Sequence, residues 1–340
     1  MAYVAYTGKA AEVLRKKGCP NATTAHKLIY ETFPLANGKF LHRPKISLGD
    51  YKVIVVDEIS MLPKDMWQQL LSYRVFIIAC GDPFQIPPIS SDDDNLVLKN
   101  PHVFLDEIMR QAEDSEIIRL SMDIRQLKSP KHFVGNDVQV LNANELVTGM
   151  YEWADQIICS TNRRRKEINN YMRASLGRGE FPEEGDKIIC LRNNWELLSS
   201  ENNPLVNGST GILRNPRIQI ERPPYFISDK PFKTVMADMI IDDKEVYNCL
   251  PMDLKVFTEG EKTFNPKQEF QLSRTRQRTC SIPMEFDYGY AISGHRAQGS
   301  EWEKVLIIEE SFPFSQVEHA RWLYTALTRA SEKAVIIRKN

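Results

Sequence analysis

The chain has 340 residues, of which 42% are hydrophobic and 26% are charged, and its formal net charge is −1. Together with a mean hydropathy of −0.39, these values are typical of a soluble globular protein with room for two domains. No apolar run approaches the ~20 residues that span a bilayer. The balanced charge argues neither for nor against binding to nucleic acid, because a protein that binds a single strand needs only a local basic groove.

The cysteines and the N-terminus indicate a reducing compartment. The six cysteines lie far apart, without a C-x-x-C pair and without a histidine at ligand spacing. Cys80, Cys159 and Cys190 stand in or at the end of apolar runs, so we interpret them as reduced core residues. The N-terminus lacks the basic and apolar regions of a secretory signal. We therefore expect a cytoplasmic protein with no membrane partner.

Seven short apolar runs predict buried strands. Their lack of alternation favours strands covered on both faces, as in parallel sheets between helices. The runs are 2–6, 53–56, 75–80, 156–159, 187–190, 305–308 and 334–337. A helix is predicted from the Ser160-Thr161-Asn162 cap to Gly177. The chain is thus predicted to be α/β, with one layer in 1–150, one in 151–340, and a less periodic connection over 128–149.

Two segments predict antiparallel β-structure. Residues 212–282 alternate polar and apolar side chains between Pro, Gly, Asp and Asn breaks, which predicts a small β insertion in the second half. The segment 34–46 predicts a short hairpin, because Asn37-Gly38 supplies the residue types that a tight turn prefers.

Polar side chains follow two of the predicted strands. Asp57 and Glu58 end the run 53–56, at the edge where α/β sheets place their ligands. Asp57 could supply a carboxylate to Mg²⁺, and Glu58 could orient or deprotonate a water that attacks a γ-phosphate. The run 75–80 ends in another acid and leads to Gln85, whose amide could contact both a γ-phosphate and a water. Each pattern alone is also compatible with a strand end or a proline-rich turn that meets solvent.

Two segments near the C-terminus carry further candidates. "GHRAQGSEW" leads into the run 305–308 and contains His295, while "YTALTRA" precedes 334–337 and contains Arg329. A guanidinium in this place could stabilise charge on a transferring phosphoryl group. Taken singly, Arg329 is also compatible with a surface arginine, and His295 with a loop histidine whose hydrogen bonds are satisfied.

The order of the segments decides between these alternatives. "TGKAA", "TTAHKL", "VVDEISM", "GDPFQIPP", "RQ", "GHRAQGSEW" and "YTALTRA" follow one another, and from Met1 to about Ile337 they resemble the superfamily 1 DNA helicases of the RecD and Dda type. The resemblance implies two RecA-like domains, 1–150 and 151–340, with an SH3-like insertion at 212–282 and a strand-separating pin at 34–46. It also implies 5′-to-3′ movement along single-stranded DNA, driven by ATP and Mg²⁺ bound between the domains.

The resemblance implies catalytic roles for five positions. Asp57 and Glu58 match the Walker B pair, which binds Mg²⁺ and activates a water. Gln85 matches a residue that contacts the γ-phosphate. Arg110 and Arg329 match arginine fingers, which stabilise charge on the transferring phosphoryl group.

Further positions match the nucleotide and DNA contacts of the family. Gly299 and Glu301 match residues near the sugar and phosphates of the nucleotide. The positions that match the single-stranded DNA track are Thr7, Lys9, His26, Ser293 and His295. The segment "SGHRAQG" departs mildly from the family pattern T-x-H-K-S-Q-G, and it keeps the hydroxyl and the positive charge at two of the replaced positions.

The phosphate-binding loop is the serious departure. Family members place G-x-x-x-x-G-K-[ST] ahead of the "TGKAA" segment, and the 340 residues contain no such pattern. Gly8-Lys9 is followed by Ala10, and Gly38-Lys39 is followed by Phe40. Because this loop supplies most of the hold on the phosphates of ATP, residues 1–340 by themselves are expected to hydrolyse little ATP.

Three interpretations remain open. The phosphate loop lies upstream in a longer protein, or a separate N-terminal polypeptide supplies it and the chain is half of a split helicase. In the third, the chain is a non-catalytic remnant that binds nucleic acid. The retained set of acidic, amide and arginine side chains favours the first two. The small size and compact insertion favour a bacteriophage or a stand-alone bacterial helicase, hence a bacterial or phage-infected cytoplasm. The resemblance implies a role in DNA replication, recombination or repair, and the residues do not choose among the three.

Overall fold

The computed structural model describes residues 1–35, 40–87, 98, 100–105, 115–275, 280–310 and 315–338. In these ranges the helices are α1 (Gly8–Lys16), α2 (Ala25–Ile29), α3 (Lys64–Ser72), α4 (Glu116–Arg125), α5 (Thr148–Trp153), α6 (Asn162–Ser175), α7 (Leu254–Glu259), α8 (Pro266–Arg274), α9 (Gly294–Ala297) and α10 (Gln316–Leu327). Two 3₁₀ turns cover Ile59–Met61 and Ala143–Glu145. None of these helices is long and apolar enough to cross a membrane.

The strands of the same ranges are numbered in chain order. They are β1 (Ala2–Ala5), β2 (Thr23–Thr24), β3 (Tyr30–Pro34), β4 (Phe40–Pro44), β5 (Val53–Asp57), β6 (Phe76–Ala79), β7 (Phe133–Val134), β8 (Val138–Asn142), β9 (Gln156–Cys159), β10 (Lys187–Cys190), β11 (Asn194–Leu198), β12 (Pro204–Leu205), β13 (Thr210–Glu221), β14 (Phe232–Ile241), β15 (Glu245–Asp253), β16 (Phe286–Tyr288), β17 (Ala291–Ser293), β18 (Trp302–Ile308) and β19 (Ala330–Arg338).

The chain divides into two compact units. The first unit comprises Met1–His26, Gly49–Ile168 and Ala291–Asn340, and the second comprises Lys27–Leu48 and Asn169–Tyr290. This grouping differs from the predicted division at residue 150, which concerns RecA-like domains and stays a prediction.

Two largely parallel sheets form the first unit. One has the order β2-β1-β5-β6, with every pair parallel. The other has the order β17-β9-β18-β19-β8-β7, in which only β7 and β8 are antiparallel. These sheets confirm the predicted α/β class.

Branched apolar side chains build the centre of both sheets. Val4 and Val56 of the first sheet are 0% exposed, as are Ile158 and Ile307 of the second. Such side chains suit strands, and each contributes about 1.5–3 kcal/mol when fully buried. The central strands therefore give a rigid base for the polar residues that follow them.

The prediction for Cys80 was wrong. Cys159 and Cys190 are buried as predicted, but Cys80 is exposed. It follows β6, which among the described strands pairs with β5 alone and so stands at an edge of its sheet. Phe76 and Ile78 of this strand are 68% and 44% exposed, respectively. The apolar run predicts the strand correctly but does not tell an edge strand from a central one.

The helix predicted after Ser160 is confirmed as α6. The Thr161 hydroxyl accepts a hydrogen bond from the Arg164 N–H at 3.2 Å, and the Glu310 carboxylate accepts the N–H groups of Ser160 and Thr161 at 3.1 and 3.0 Å. These acceptors satisfy N–H groups at the start of the helix. Gly177, with φ of 68°, follows its end.

The segment 128–149 is more than a connection. It contributes β7 and β8 to the second sheet, and Val138 and Val140 of β8 are buried. β8 is only five residues long and pairs in parallel with β19. So short an alternating stretch gives a weak pattern, which explains why the sequence predicts no strand here.

The second unit contains an antiparallel sheet of order β15-β14-β13-β10-β16. β10 was predicted to belong to a parallel layer, and this was wrong, because a fully apolar run does not report strand direction. The residues after 265 were also predicted to be part of the β insertion 212–282, and this was wrong. Asn265 forms a capping box with Gln268, and Pro266 occupies the first turn, so the chain starts α8 there.

The predicted hairpin is present as the antiparallel pair β3 and β4, with Tyr30 opposite Pro44 and Pro34 opposite Phe40. Its predicted turn, Asn37-Gly38, lies outside the described residues. The SH3-like character of 212–282 and the action of the hairpin as a pin stay predictions.

A buried carboxylate ties α6 to β10 in the second unit. Asp186 is 0% exposed, and its Oδ1 lies 3.2 Å from Arg173 Nε and 2.7 Å from Arg178 Nη1. The Tyr290 hydroxyl donates to the same oxygen at 2.8 Å, and the Glu183 N–H donates to Oδ2 at 2.7 Å. Removing one member of such a group leaves the others buried and uncompensated.

We therefore expect Asp186→Ala to lower the free energy of unfolding by about 3–5 kcal/mol, measured by urea denaturation. Glu261→Ala is the matched control, since Glu261 pairs with Lys255 at 68% side-chain exposure, and it should change stability little. Equal effects of the two substitutions would contradict the assignment of a buried, mutually dependent group.

Candidate nucleotide site

The strand β5 ends in two carboxylates. β5 lies between β1 and β6, so Asp57 and Glu58 stand at the carboxyl edge of a parallel sheet. The Glu58 N–H donates to Asp57 Oδ1 at 3.0 Å. Glu58 adopts left-handed backbone angles, with φ of 51° and ψ of 44°. These angles are uncommon outside glycine and concentrate at functional sites, so the sharp turn after Asp57 supports the predicted site.

The next strand places Gln85 beside these carboxylates. The Cys80 N–H donates to the Val56 carbonyl at 2.8 Å, which extends the pairing of β5 and β6 beyond their ends. Gln85 is 8% exposed and hydrogen-bonds the Glu58 side chain. Its Oε1 is buried without a hydrogen-bond partner. A buried, unpaired amide oxygen is costly, so it offers an acceptor to an incoming N–H or O–H group.

The Arg329 guanidinium is buried close to the same groups. Arg329 is 9% exposed, and it donates to the Thr325 carbonyl at 3.1 Å, to the Ser300 carbonyl at 3.3 Å and to the Thr328 hydroxyl at 3.3 Å. Burial lowers the pKa of Arg329, and the nearby charge of Glu58 is the largest effect that opposes this shift. The structure therefore excludes the alternative of a surface arginine.

The surroundings raise the pKa of Glu58. Burial is the largest cause, and the charges of Asp57 and Asp82 act in the same direction. The charge of Arg329 and the hydrogen bond from Gln85 oppose the shift. A carboxylate with a raised pKa is a better proton acceptor near neutral pH, which suits a residue that activates water.

The segment after α9 packs against the start of α1. Gly299 has φ of 75°, and a Cβ atom there would lie 3.2 Å from the Ala10 Cβ and 3.3 Å from the Ala10 N. Gln298 is 2% exposed, and its Nε2 donates to the Ile86 carbonyl at 3.0 Å. Glu301 is exposed, and its charge acts on Arg329. Both predicted nucleotide contacts, Gly299 and Glu301, thus lie near the site.

The side chains at this site suit Mg²⁺ better than they suit a metal ion whose ligands all come from the protein. Among the described residues, no group of three or more His, Cys, Asp or Glu side chains could hold a metal ion. Mg²⁺ in nucleotide sites takes one or two carboxylates and completes its shell with phosphates and waters. Asp57 provides such a carboxylate.

Three of the predicted DNA-track residues follow β1 and β2, which are neighbouring parallel strands. The Thr7 hydroxyl caps α1 by accepting the Ala10 N–H at 3.1 Å. Lys9 lies 3.2 Å from Glu12, which is 1% exposed. The exposed His26 ring lies 5.7 Å from the Tyr6 ring. These residues share one edge of the sheet, as the prediction requires.

The other two DNA-track residues follow β17. Ser293 ends that strand and precedes α9, and its hydroxyl makes no capping hydrogen bond to the helix. His295 lies on α9, and burial lowers its pKa, so the neutral imidazole is favoured. The structure gives no contact for Arg110, which lies outside the described residues. DNA contact and the arginine-finger role of Arg110 stay predictions.

Four residues near the site carry no predicted role. Asp82 and Tyr324 are hydrogen-bonded to each other, Thr325 accepts the Ile86 N–H, and Gln298 binds the Ile86 carbonyl. All four stand inside the quoted segments "GDPFQIPP", "GHRAQGSEW" and "YTALTRA". Their presence in these segments is the only signal in the sequence, because no spacing rule predicts that the segments touch.

Two family models match the chain. An AAA domain matches residues 1–150, and a UvrD-like helicase C-terminal domain matches residues 288–337. A curated relative, the ATP-dependent RecD2 DNA helicase of Deinococcus radiodurans, is 24% identical over 355 residues that cover 96% of this chain. In these comparisons the chain is similar to superfamily 1 helicases of the RecD type. It spans 41% of the length of this RecD2 relative.

Solved helicase structures share the fold. The Pif1 helicase of Candida albicans has a TM-score of 0.51 at 15% identity, over 100% of this chain and 91% of that one. A structure of Pif1 helicases, described as the basis for DNA unwinding at forked duplexes, has a TM-score of 0.53 at 18% identity, over 99% and 81%. At such identities the likeness concerns the fold, and it agrees with the α/β class.

The raised pKa of Glu58 predicts how stability depends on pH. In the folded state its carboxylate is disfavoured relative to the unfolded chain, so stability falls as pH rises from the ordinary carboxyl range through the folded pKa. Glu58→Gln removes this titration. We expect the stability of the variant relative to wild type to be highest above the folded pKa and to decrease toward pH 4.

Urea denaturation from pH 4 to pH 8 measures this difference. Glu303→Gln, at an exposed position in β18, serves as the control and should give a difference that varies little with pH. A difference between Glu58→Gln and wild type that grows toward acid would contradict the assigned direction.

Proposed function

We propose that the chain is the motor part of an ATP-dependent DNA helicase, which couples ATP hydrolysis to 5′-to-3′ movement along single-stranded DNA. The observation that carries the proposal is the convergence of Glu58, Gln85 and Arg329 in the first unit, at the end of a parallel strand. The name of the RecD2 relative supports this choice of activity. The direction of movement rests on the family resemblance alone.

In this proposal each side chain has a separate task in hydrolysis. Asp57 holds Mg²⁺, which would neutralise charge on the phosphates. The attacking water donates one hydrogen bond to Glu58 and one to the unpaired Oε1 of Gln85. As the water oxygen bonds to the γ-phosphorus, the bond from that phosphorus to the β–γ bridging oxygen breaks and ADP leaves with its electron pair. Glu58 takes the proton of the water, and its raised pKa suits this step.

The arginines and the segment after α9 complete the proposed site. Arg329, together with Arg110, stabilises the negative charge that develops on the transferring group. Gly299 lets the backbone approach closely, since a side chain there would meet Ala10. Glu301 lies near the nucleotide sugar.

Residues 1–340 contain no G-x-x-x-x-G-K-[ST] phosphate-binding loop. We propose that an upstream segment or a separate N-terminal polypeptide supplies it. No strand in the described part of the chain pairs with the outer edge of β6, and Phe76 and Ile78 of this strand are exposed, which supports the addition of a strand at this sheet. A chain to which such a loop has been added, in either way, is called the complemented chain below.

The second candidate function is that of a non-catalytic protein that binds nucleic acid. The missing loop is the observation that favours it. The burial of Arg329 and the raised pKa of Glu58 favour the motor, since binding DNA alone requires neither.

ATP hydrolysis separates the two functions. We expect residues 1–340 to hydrolyse little ATP, and the complemented chain to hydrolyse it with stimulation by single-stranded DNA. Arg329→Ala in the complemented chain should reduce kcat about a thousandfold. Arg163→Ala is the control, because the side chain of Arg163 is 89% exposed. A complemented chain without DNA-stimulated hydrolysis would sink the motor proposal.

DNA binding tests the predicted track. Lys9→Gln should reduce the slope of log affinity against log salt for single-stranded DNA by about 0.7, the value for one phosphate contact. Lys128→Gln, which removes an ammonium with 59% side-chain exposure, should leave the slope unchanged. Fluorescence anisotropy with a labelled oligonucleotide measures both slopes. Identical slopes for Lys9→Gln and wild type would remove Lys9 from the track.

A further inference from the structure

Helix α10 holds the segment 82–87 through one face. The Tyr324 hydroxyl donates to Asp82 Oδ2, and the Phe84 ring meets the Tyr324 ring edge-on at 5.6 Å between centroids. The Ile86 N–H donates to the Thr325 hydroxyl at 3.0 Å. Tyr324 is 7% exposed and Thr325 is 0% exposed. Hydrogen bonds in such dry surroundings fix geometry well, because water cannot replace a lost partner.

Two side chains from other elements also contact the segment 82–87. The guanidinium carbon of Arg125, on α4, lies 5.8 Å from the Phe84 ring centre and 5.7 Å from that of Tyr324. Gln298 donates to the Ile86 carbonyl at 3.0 Å. The segment is therefore held at its beginning by Tyr324 and at its end by Thr325 and Gln298.

Gln85 lies between these attachment points. The carboxylate of Asp82 that receives the Tyr324 hydroxyl also accepts the Phe84 N–H at 2.9 Å, through its other oxygen. The Asp82 carbonyl accepts the Gln85 N–H at 3.3 Å. A short chain of hydrogen bonds thus runs from Tyr324 through Asp82 to the backbone of Gln85.

The helix that carries Tyr324 also leads to Arg329. α10 ends at Leu327, and the Arg329 guanidinium binds back to the Thr325 carbonyl at 3.1 Å. Residues 324 and 325 therefore touch both the segment of Gln85 and the anchor of Arg329. A displacement of Tyr324 would therefore change the position of Gln85 relative to Arg329.

We propose that Tyr324 is a positioning residue, whose hydroxyl acts through Asp82 to hold Gln85 at a fixed position relative to Arg329. Its effect on hydrolysis rests on the proposed function. Its effect on the placement of the segment 82–87 does not, and can be measured on residues 1–340 alone.

Amide hydrogen exchange on residues 1–340 tests the placement. Tyr324→Phe keeps the ring and removes only the hydroxyl. Exchange of the Phe84 and Gln85 amides should become about tenfold faster, because both bond to Asp82. The change should be confined to peptides that cover 82–87.

Tyr290→Phe is the matched control. The Tyr290 hydroxyl donates to a buried aspartate, Asp186, at 2.8 Å in the second unit, so the chemical change is the same. Exchange over 82–87 should stay at the wild-type rate in this variant. Unchanged exchange over 82–87 in Tyr324→Phe, or a rise spread evenly over the first unit, would overturn the proposal.

Steady-state kinetics of the complemented chain tests the consequence. Because Gln85 acts on the attacking water, Tyr324→Phe should lower kcat about tenfold and leave the KM for ATP within about twofold. A raised KM at unchanged kcat would contradict a role in positioning Gln85. If wild type itself shows no DNA-stimulated hydrolysis, the proposed function fails, and the exchange measurement still decides the placement by Tyr324.

Discussion

The burial of one guanidinium is the constraint on which the site depends. An arginine side chain stays charged in proteins, and an unpaired charge in a dry interior costs several kcal/mol. Arg329 meets this requirement with two backbone carbonyls, a hydroxyl and the nearby charge of Glu58. Glu58 in turn is partly buried, and the nearby charge of Arg329 reduces the free-energy cost of ionising its carboxyl group. The two residues thus stabilise each other's charged forms.

The same charges explain why the proposed function includes a phosphate-binding loop. Among the described residues, the negative charges that act at this site belong to Asp57, Glu58, Asp82 and Glu301. The positive charges are the guanidinium groups of Arg329 and of Arg125, which lies beside Tyr324. A triphosphate brought to this place would meet more negative than positive charge. Mg²⁺ on Asp57 offsets part of the repulsion, and the backbone N–H groups and lysine of a phosphate loop would offset the rest. In the proposed function, these side chains act on the transition state and the loop supplies the ground-state hold on the phosphates.

The sequence predicts the α/β class and the strand ends at which the candidate site residues lie, and it predicts less of the detail around them. Asp57 and Glu58 follow a strand, and strand ends in parallel sheets carry ligands, so local pattern and topology point to the same residues. Arg329 could not be distinguished from a surface arginine without the other motifs, because burial depends on packing between distant segments. The exposure of Cys80, the direction of β10 and the helix α8 depend on sheet neighbours and capping, which an apolar or alternating run does not report. The bond between Asp82 and Tyr324 joins residues 242 positions apart, and no local signal predicts it.

The most direct test of this account is a crystal structure of the complemented chain with ADP, aluminium fluoride and Mg²⁺. We expect the fluoride group, which mimics the transferring phosphoryl group, to lie within hydrogen-bond distance of the Gln85 amide and the Arg329 guanidinium. We also expect Mg²⁺ close to Asp57 and a water between the fluoride group and Glu58. A nucleotide bound with its fluoride group away from both Gln85 and Arg329 would contradict the account.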